Sequence, residues 1–135
     1  RRSHPPSRGD RRIPGCWVLS PKPMWIMVAG PFGSTATDEQ RSINQKATNA
    51  AALAVWKKGH VPVIGVNNAL PMIEVAGVEH YEALMMPMSL ALAERCDTVL
   101  RIGGVSGGAD REVDAIVARG GLVYRDIGEV PEAGL

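Results

Sequence analysis

The segment from Cys96 to Arg119 constrains the fold more than any other part of this chain. Thr98 to Ile102 is short and apolar enough to be a buried strand. Gly103-Gly104-Val105-Ser106-Gly107-Gly108 then places four glycines in six positions, and a helix is expected from about Ala109. Glycines at that density let a backbone turn tightly and approach a ligand closely. A helix opening straight out of such a turn offers free N–H groups and a positive dipole end. At about 100° per residue, Ala109, Val113, Ile116 and Val117 form one apolar stripe. Glu112 falls beside that stripe, at the boundary between sheet and helix and at the mouth of the glycine turn. Arg111 and Asp114 point further out. Acids are favoured in a first helical turn for local reasons alone, so Asp110 and Glu112 carry a structural reading beside the functional one.

The rest of the chain can be placed around this segment. Met24 to Ala29 is a continuous apolar run, suited to a strand of a parallel sheet covered on both faces. It leads into a second tight loop, Gly30-Pro31-Phe32-Gly33-Ser34. Thr37-x-x-Gln40 reads as a capping box, and the helix after it carries Ile43, Ala47, Ala50 and Ala54 at helical spacing. Lys57, Lys58 and Gly59 end it. His60 to Val66 is the next strand, with Pro62 hinting at a sheet edge. Asn67 to His80 is expected to be a long loop or a loop with a short helix. Tyr81 to Arg95 is helical, with a kink or restart at Pro87. Gly120 and Gly121 end the third helix, Leu122 to Arg125 is a fourth strand, and Asp126 to Leu135 a polar tail.

The order is strand, helix, strand, loop and helix, strand, helix, strand. Such alternation implies right-handed crossovers and an α/β fold. The expectation is a flavodoxin-like three-layer sandwich with a four- or five-stranded parallel sheet. Ligands of such sheets bind beyond the carboxyl ends of the strands, where both glycine loops must lie. Residues 24–135 form one domain. Residues 1–23, rich in Arg, Pro, Ser and Gly, read as an arm or extension, and Met24 reads equally well as the biological start.

Composition excludes several classes. Fifteen basic and fourteen acidic side chains give a net charge of +1, which argues for neither nucleic acid nor membrane as a partner. No run reaches the roughly 18 apolar residues of a membrane span, and a cytoplasmic location is the default. Cys16 and Cys96 make neither a disulfide framework nor a metal site; Cys96 reads as a small core residue. His4, His60 and His80 have no spaced partners, so neither a metal nor a catalytic triad is indicated. No cofactor is indicated either. A P-loop pattern is missing, and the glycine loop follows a third strand, unlike a dinucleotide fingerprint.

Val28-Ala29-Gly30-Pro31-Phe32, and Cys96-Asp97-Thr98-Val99-Leu100 followed by Ser106-Gly107-Gly108-Ala109-x-x-Glu112, resemble the two signatures of the nucleoside 2-deoxyribosyltransferase superfamily. The likeness covers most of residues 24 to 128. It is nearest to short bacterial and phage-type members and similar to the 2′-deoxynucleoside 5′-phosphate N-hydrolases. The resemblance implies a nucleophilic glutamate at Glu112 and a phosphate-preferring serine at Ser106. It implies a loop against sugar and base at Gly30, Pro31 and Phe32. It also implies a homo-oligomer, because relatives complete their pockets from a neighbour. One position departs: Ser89 stands where the characterised enzymes carry an aspartate near the reacting sugar.

The chemistry expected of such a site is cleavage of an N-glycosidic bond through an oxocarbenium-like transition state, helped by a carboxylate at C1′. The helix N-terminus is expected to keep Glu112 ionised at neutral pH. Asp110 is the candidate proton donor for the departing base. Gly104, Ser106, Gly107 and Gly108 are expected to bind substrate, with Ser106 and the two following amides on a 5′-phosphate. A non-catalytic nucleotide-binding module keeps the pocket without the chemistry, and Ser89 favours it. A phosphoribohydrolase of the cytokinin-activating type also carries a glycine-rich loop followed by Glu, but its fuller Pro-Gly-Gly-x-Gly-Thr pattern is missing here.

Overall fold

The computed structural model describes residues 19–33 and 35–133. Most of the arm read over 1–23, including all but Leu19 of an edge segment possible on sequence over 13–19, lies outside them. Four strands form the sheet: β1 (Trp25–Ala29), β2 (Val61–Val63), β3 (Thr98–Arg101) and β4 (Val123–Tyr124). Four helices connect them: α1 (Asp38–Lys57), α2 (Gly65–Ala76), α3 (Tyr81–Ala93) and α4 (Gly107–Val117). All pairings are parallel, in the order β2-β1-β3-β4. Ile26 stands opposite Pro62 on one side and Thr98 on the other. β2 is an edge strand, as Pro62 suggests, since an internal proline would cost a ladder hydrogen bond.

The two faces of β1 and β3 separate by alternation. Met27, Ala29 and Val99 pack with Ala93, Ala109, Val113 and Ile116 of α3 and α4. Ile26, Val28 and Leu100 pack instead with Val55 of α1 and with Val130. The sheet is therefore the middle of three layers, a flavodoxin-like arrangement. Each fully buried aliphatic side chain contributes about 1.5–3 kcal/mol. Cys96 is a core residue, and burial pushes its thiol up to about 11, which keeps it an inert thiol.

Several local expectations are corrected. Asn67 to His80 is mostly helix: α2 runs through Pro71, because Ala69 and Ile73 are buried against Met85 of α3. Tertiary packing here outweighs the hydrogen bond that proline removes. Pro87 sits likewise inside a continuous α3. At α1 only half of the capping box forms. Thr37 Oγ1 accepts from the Gln40 amide at 3.1 Å, while the Gln40 side chain donates to Asn44 Oδ1 at 3.0 Å. The reciprocal capping box appears at Asp126 and Glu129, around a 3₁₀ turn (Ile127–Glu129). The tail after it is docked rather than merely polar: Lys58 Nζ donates to the carbonyls of Ile127 (2.7 Å) and Val130 (2.6 Å).

Candidate functional site

Strand order reverses direction between β1 and β3: β2 lies to one side of β1, and β4 beyond β3. This is the switch point at which open α/β sheets place their ligands. The loops leaving β1 and β3 diverge there and touch at their bases. Gly103 has φ of 76°, and a Cβ on it would lie 2.6 Å from Pro31 Cδ. Only glycine meets both demands at once.

A cavity of about 440 Å³ opens between these loops. Residues 30–33 and Thr35 form one wall. Val105 to Ala109, Arg111 and Glu112 form another. The third is one face of α3: Tyr81, Glu82, Met85, Met86 and Ser89. A void of about 10 Å³ shares Gly30, Pro31, Phe32, Val66 and Glu112 with it.

Ser106 caps α4, with extended backbone and its Oγ accepting from the Ala109 amide at 3.1 Å. The helix therefore starts at Gly107, two residues before the expected position. The amides of Gly107 and Gly108 make no hydrogen bond among the described residues, and both residues border the cavity. They are the orphan donors that any helix start leaves over.

Glu112 is only 8 % exposed and lines the cavity. Its carboxyl makes no hydrogen bond or ion pair among the described residues. Burial raises its pKa from 4.5 to about 7, partly opposed by the nearby Arg101 guanidinium. The expectation of a fully ionised Glu112 at neutral pH is thus corrected. The helix field fades within the first turn, whereas loss of water acts on the whole buried carboxyl.

Gly30, Pro31, Phe32, Ser106, Gly107, Gly108 and Glu112 all meet at this cavity. Asp110 and Gly104 are absent from its wall. Both are held by Arg101, which stands at the end of β3 and is 8 % exposed. Arg101 Nε donates to Asp110 Oδ1 at 3.1 Å, one terminal nitrogen to the Gly104 carbonyl at 2.7 Å, and the other to the Ile102 carbonyl. Arg101 thus pins the glycine loop and the start of α4 from below. A cation closing an apolar strand just before a glycine turn is the sequence signal that marks it.

The α3 face was also missed from sequence, apart from Ser89. Its signal is the spacing of Glu82, Met85, Met86 and Ser89, in which the methionines read as core. Met85 serves both purposes, packing with Ala69 and Ile73 and lining the cavity. Ser89 is 2 % exposed. Burial raises the Tyr81 pKa, with Arg41 acting in the opposite direction, so its phenol stays un-ionised at neutral pH. No group of metal-ligating side chains occurs among the described residues, and no described helix is long and apolar enough to cross a membrane. No protein-family model matches the chain, and no curated protein sequence matches it.

Proposed function

We propose that this chain cleaves the N-glycosidic bond of a nucleoside or nucleoside 5′-monophosphate, or transfers its deoxyribosyl group, with Glu112 as nucleophile. The observation that carries this reading is Glu112 itself. A nearly buried carboxyl with no hydrogen bond or ion pair among the described residues lines a cavity of nucleotide-compatible size at the sheet's switch point. Unpaired buried carboxyls destabilise a fold, and strongly shifted ones in clefts cluster at functional sites.

In this reading a Glu112 oxygen attacks C1′ and forms an ester as the C1′–N bond breaks. The bonding electrons leave with the base, which takes a proton from water. Water, or an acceptor base in transfer, then displaces Glu112. Ser106 and the amides of Gly107 and Gly108 hold the 5′-phosphate at the start of α4. A homo-oligomer that covers the open side of the cavity belongs to the same proposal.

The test is release of free base, followed by chromatography, over a panel of nucleosides and their 5′-monophosphates. Monophosphates are expected to react in preference, and Glu112→Gln to abolish release. Equal release by wild type and variant removes Glu112 as nucleophile. A second reading, a non-catalytic nucleotide-binding module, is favoured by Ser89, which leaves the floor of the cavity without the acid that the resemblance calls for. Nucleotide binding with no release from the wild type selects it.

A further inference from the structure

Two aromatic residues line the cavity from opposite elements: Phe32 on the loop after β1, and Tyr81 at the start of α3. One side chain spans both. The guanidinium carbon of Arg41 lies 5.8 Å from the Phe32 ring centroid and 6.0 Å from that of Tyr81. The two centroids are therefore within about 12 Å of each other. Arg41 Nε also donates to the Gly33 carbonyl at 2.7 Å. One turn further along α1, Asn44 Nδ2 donates to the Phe32 carbonyl at 3.0 Å, and Gln40 orients that amide. Two side chains of α1 thus grip consecutive carbonyls of the loop, and one of them reaches on to α3.

The ion pair of Arg41 with Asp38 does not account for this placement. It is 3.6 Å long and its carboxylate is fully exposed, so solvent screens it. Packing over two rings with a directed bond to a loop carbonyl suits a flat, delocalised guanidinium. An ammonium cannot reproduce that geometry.

We infer that Arg41 is a positioning residue, setting the separation of Phe32 and Tyr81 so that the two rings form a slot for a planar heterocycle. The inference rests on the nucleoside reading above and names the part of the cavity that takes the base. Aromatic faces bind bases of any identity by stacking. The polar groups of α4 are then left for sugar and phosphate.

The test separates the slot from the chemistry. Free adenine, hypoxanthine, cytosine and thymine are titrated into the whole chain, with deoxyribose 5-phosphate as the base-free control. The ring resonances of Phe32 and Tyr81 are followed by NMR. At least one base is expected to bind and shift both rings. Arg41→Met should weaken that base about three- to tenfold and leave the response to the sugar phosphate unchanged. Arg41→Lys keeps the charge and is expected to weaken the base as well; it decides the matter if Arg41→Met does not fold. The inference is overturned if no base shifts the two rings, if Arg41 variants bind bases undiminished, or if they lose base and sugar phosphate alike. Failure of base release in the assay above would sink the nucleophile and leave these titrations to decide the slot.

Discussion

Gly65 opens α2 directly against Ser89 of α3: a Cβ on Gly65 would lie 2.2 Å from Ser89 Oγ and 2.7 Å from Ser89 Cβ. The two helices therefore meet at a pair of small residues, one of which, Ser89, lines the cavity. Gly65→Ala is expected to destabilise the fold by about 1–3 kcal/mol through overpacking, read by chemical denaturation. Adding Ser89→Ala should recover only part of the loss, because the Cβ contact persists. Full recovery by the double variant would show that the hydroxyl alone sets this packing.

Arg101 and Asp110 form one ion pair whose two ends differ in environment. The Arg101 side chain is 7 % exposed and that of Asp110 61 %. Asp110→Asn should therefore cost less than about 1 kcal/mol and leave any base release intact, since Asp110 is absent from the cavity wall. Arg101→Met leaves the carbonyls of Ile102 and Gly104 without their donor, and should cost about 2–4 kcal/mol. It should also raise amide exchange across residues 102–106. Loss of activity in Asp110→Asn with the fold intact would restore Asp110 as the proton donor.

His60 ties the ends of the domain together. It is 2 % exposed. Its Nδ1 accepts from the Met24 amide at 3.0 Å, and its Nε2 contacts the Pro131 carbonyl at 2.8 Å. The first contact requires an unprotonated Nδ1, so Nε2 carries the proton and donates to Pro131. His60→Ala is expected to cost about 1–3 kcal/mol for the stranded Met24 amide. It should also make residues 127–133 more open to proteolysis than the rest of the chain. Uniform protection across the tail in the variant would show that Lys58 suffices to hold it.

How much of this was legible in the sequence depends on the range of the interactions involved. The four strands and their parallel pairing follow from apolar runs separated by helix-length segments, and helical angles alone put Glu112 at the mouth of the glycine turn, which borders the cavity. α2 was not legible, because Asn67, Pro71 and Gly77 punctuate it locally while its stability comes from burial against α3. The cap at Asp126 lay in a stretch whose polar composition hid the docking of Val130 and Ala133. Within the site, the two loops were legible because glycines mark them. The α3 wall and Arg101 were not, because contacts across the fold define their roles. The protonation of Glu112 was misjudged for a related reason: the dipole is a property of the local helix, and desolvation is a property of everything packed around it.

That protonation makes the final prediction. Glu112 has an ordinary pKa of 4.5 and a folded value of about 7. Between those values the folded chain binds the proton that the unfolded chain has released. Stability from this group is therefore complete below about pH 4.5, declines as pH rises, and is lost above about pH 7. Glu112→Gln removes the titration, so its denaturation midpoint should gain on the wild type as pH climbs from 4.5 to 8. The advantage is on the order of 3 kcal/mol at the upper end. Base release should show the opposite dependence, rising through pH 7 as the carboxylate becomes available to attack. A stability difference between Glu112→Gln and wild type that stays constant over this range would show that the Glu112 carboxyl is not desolvated in the folded chain.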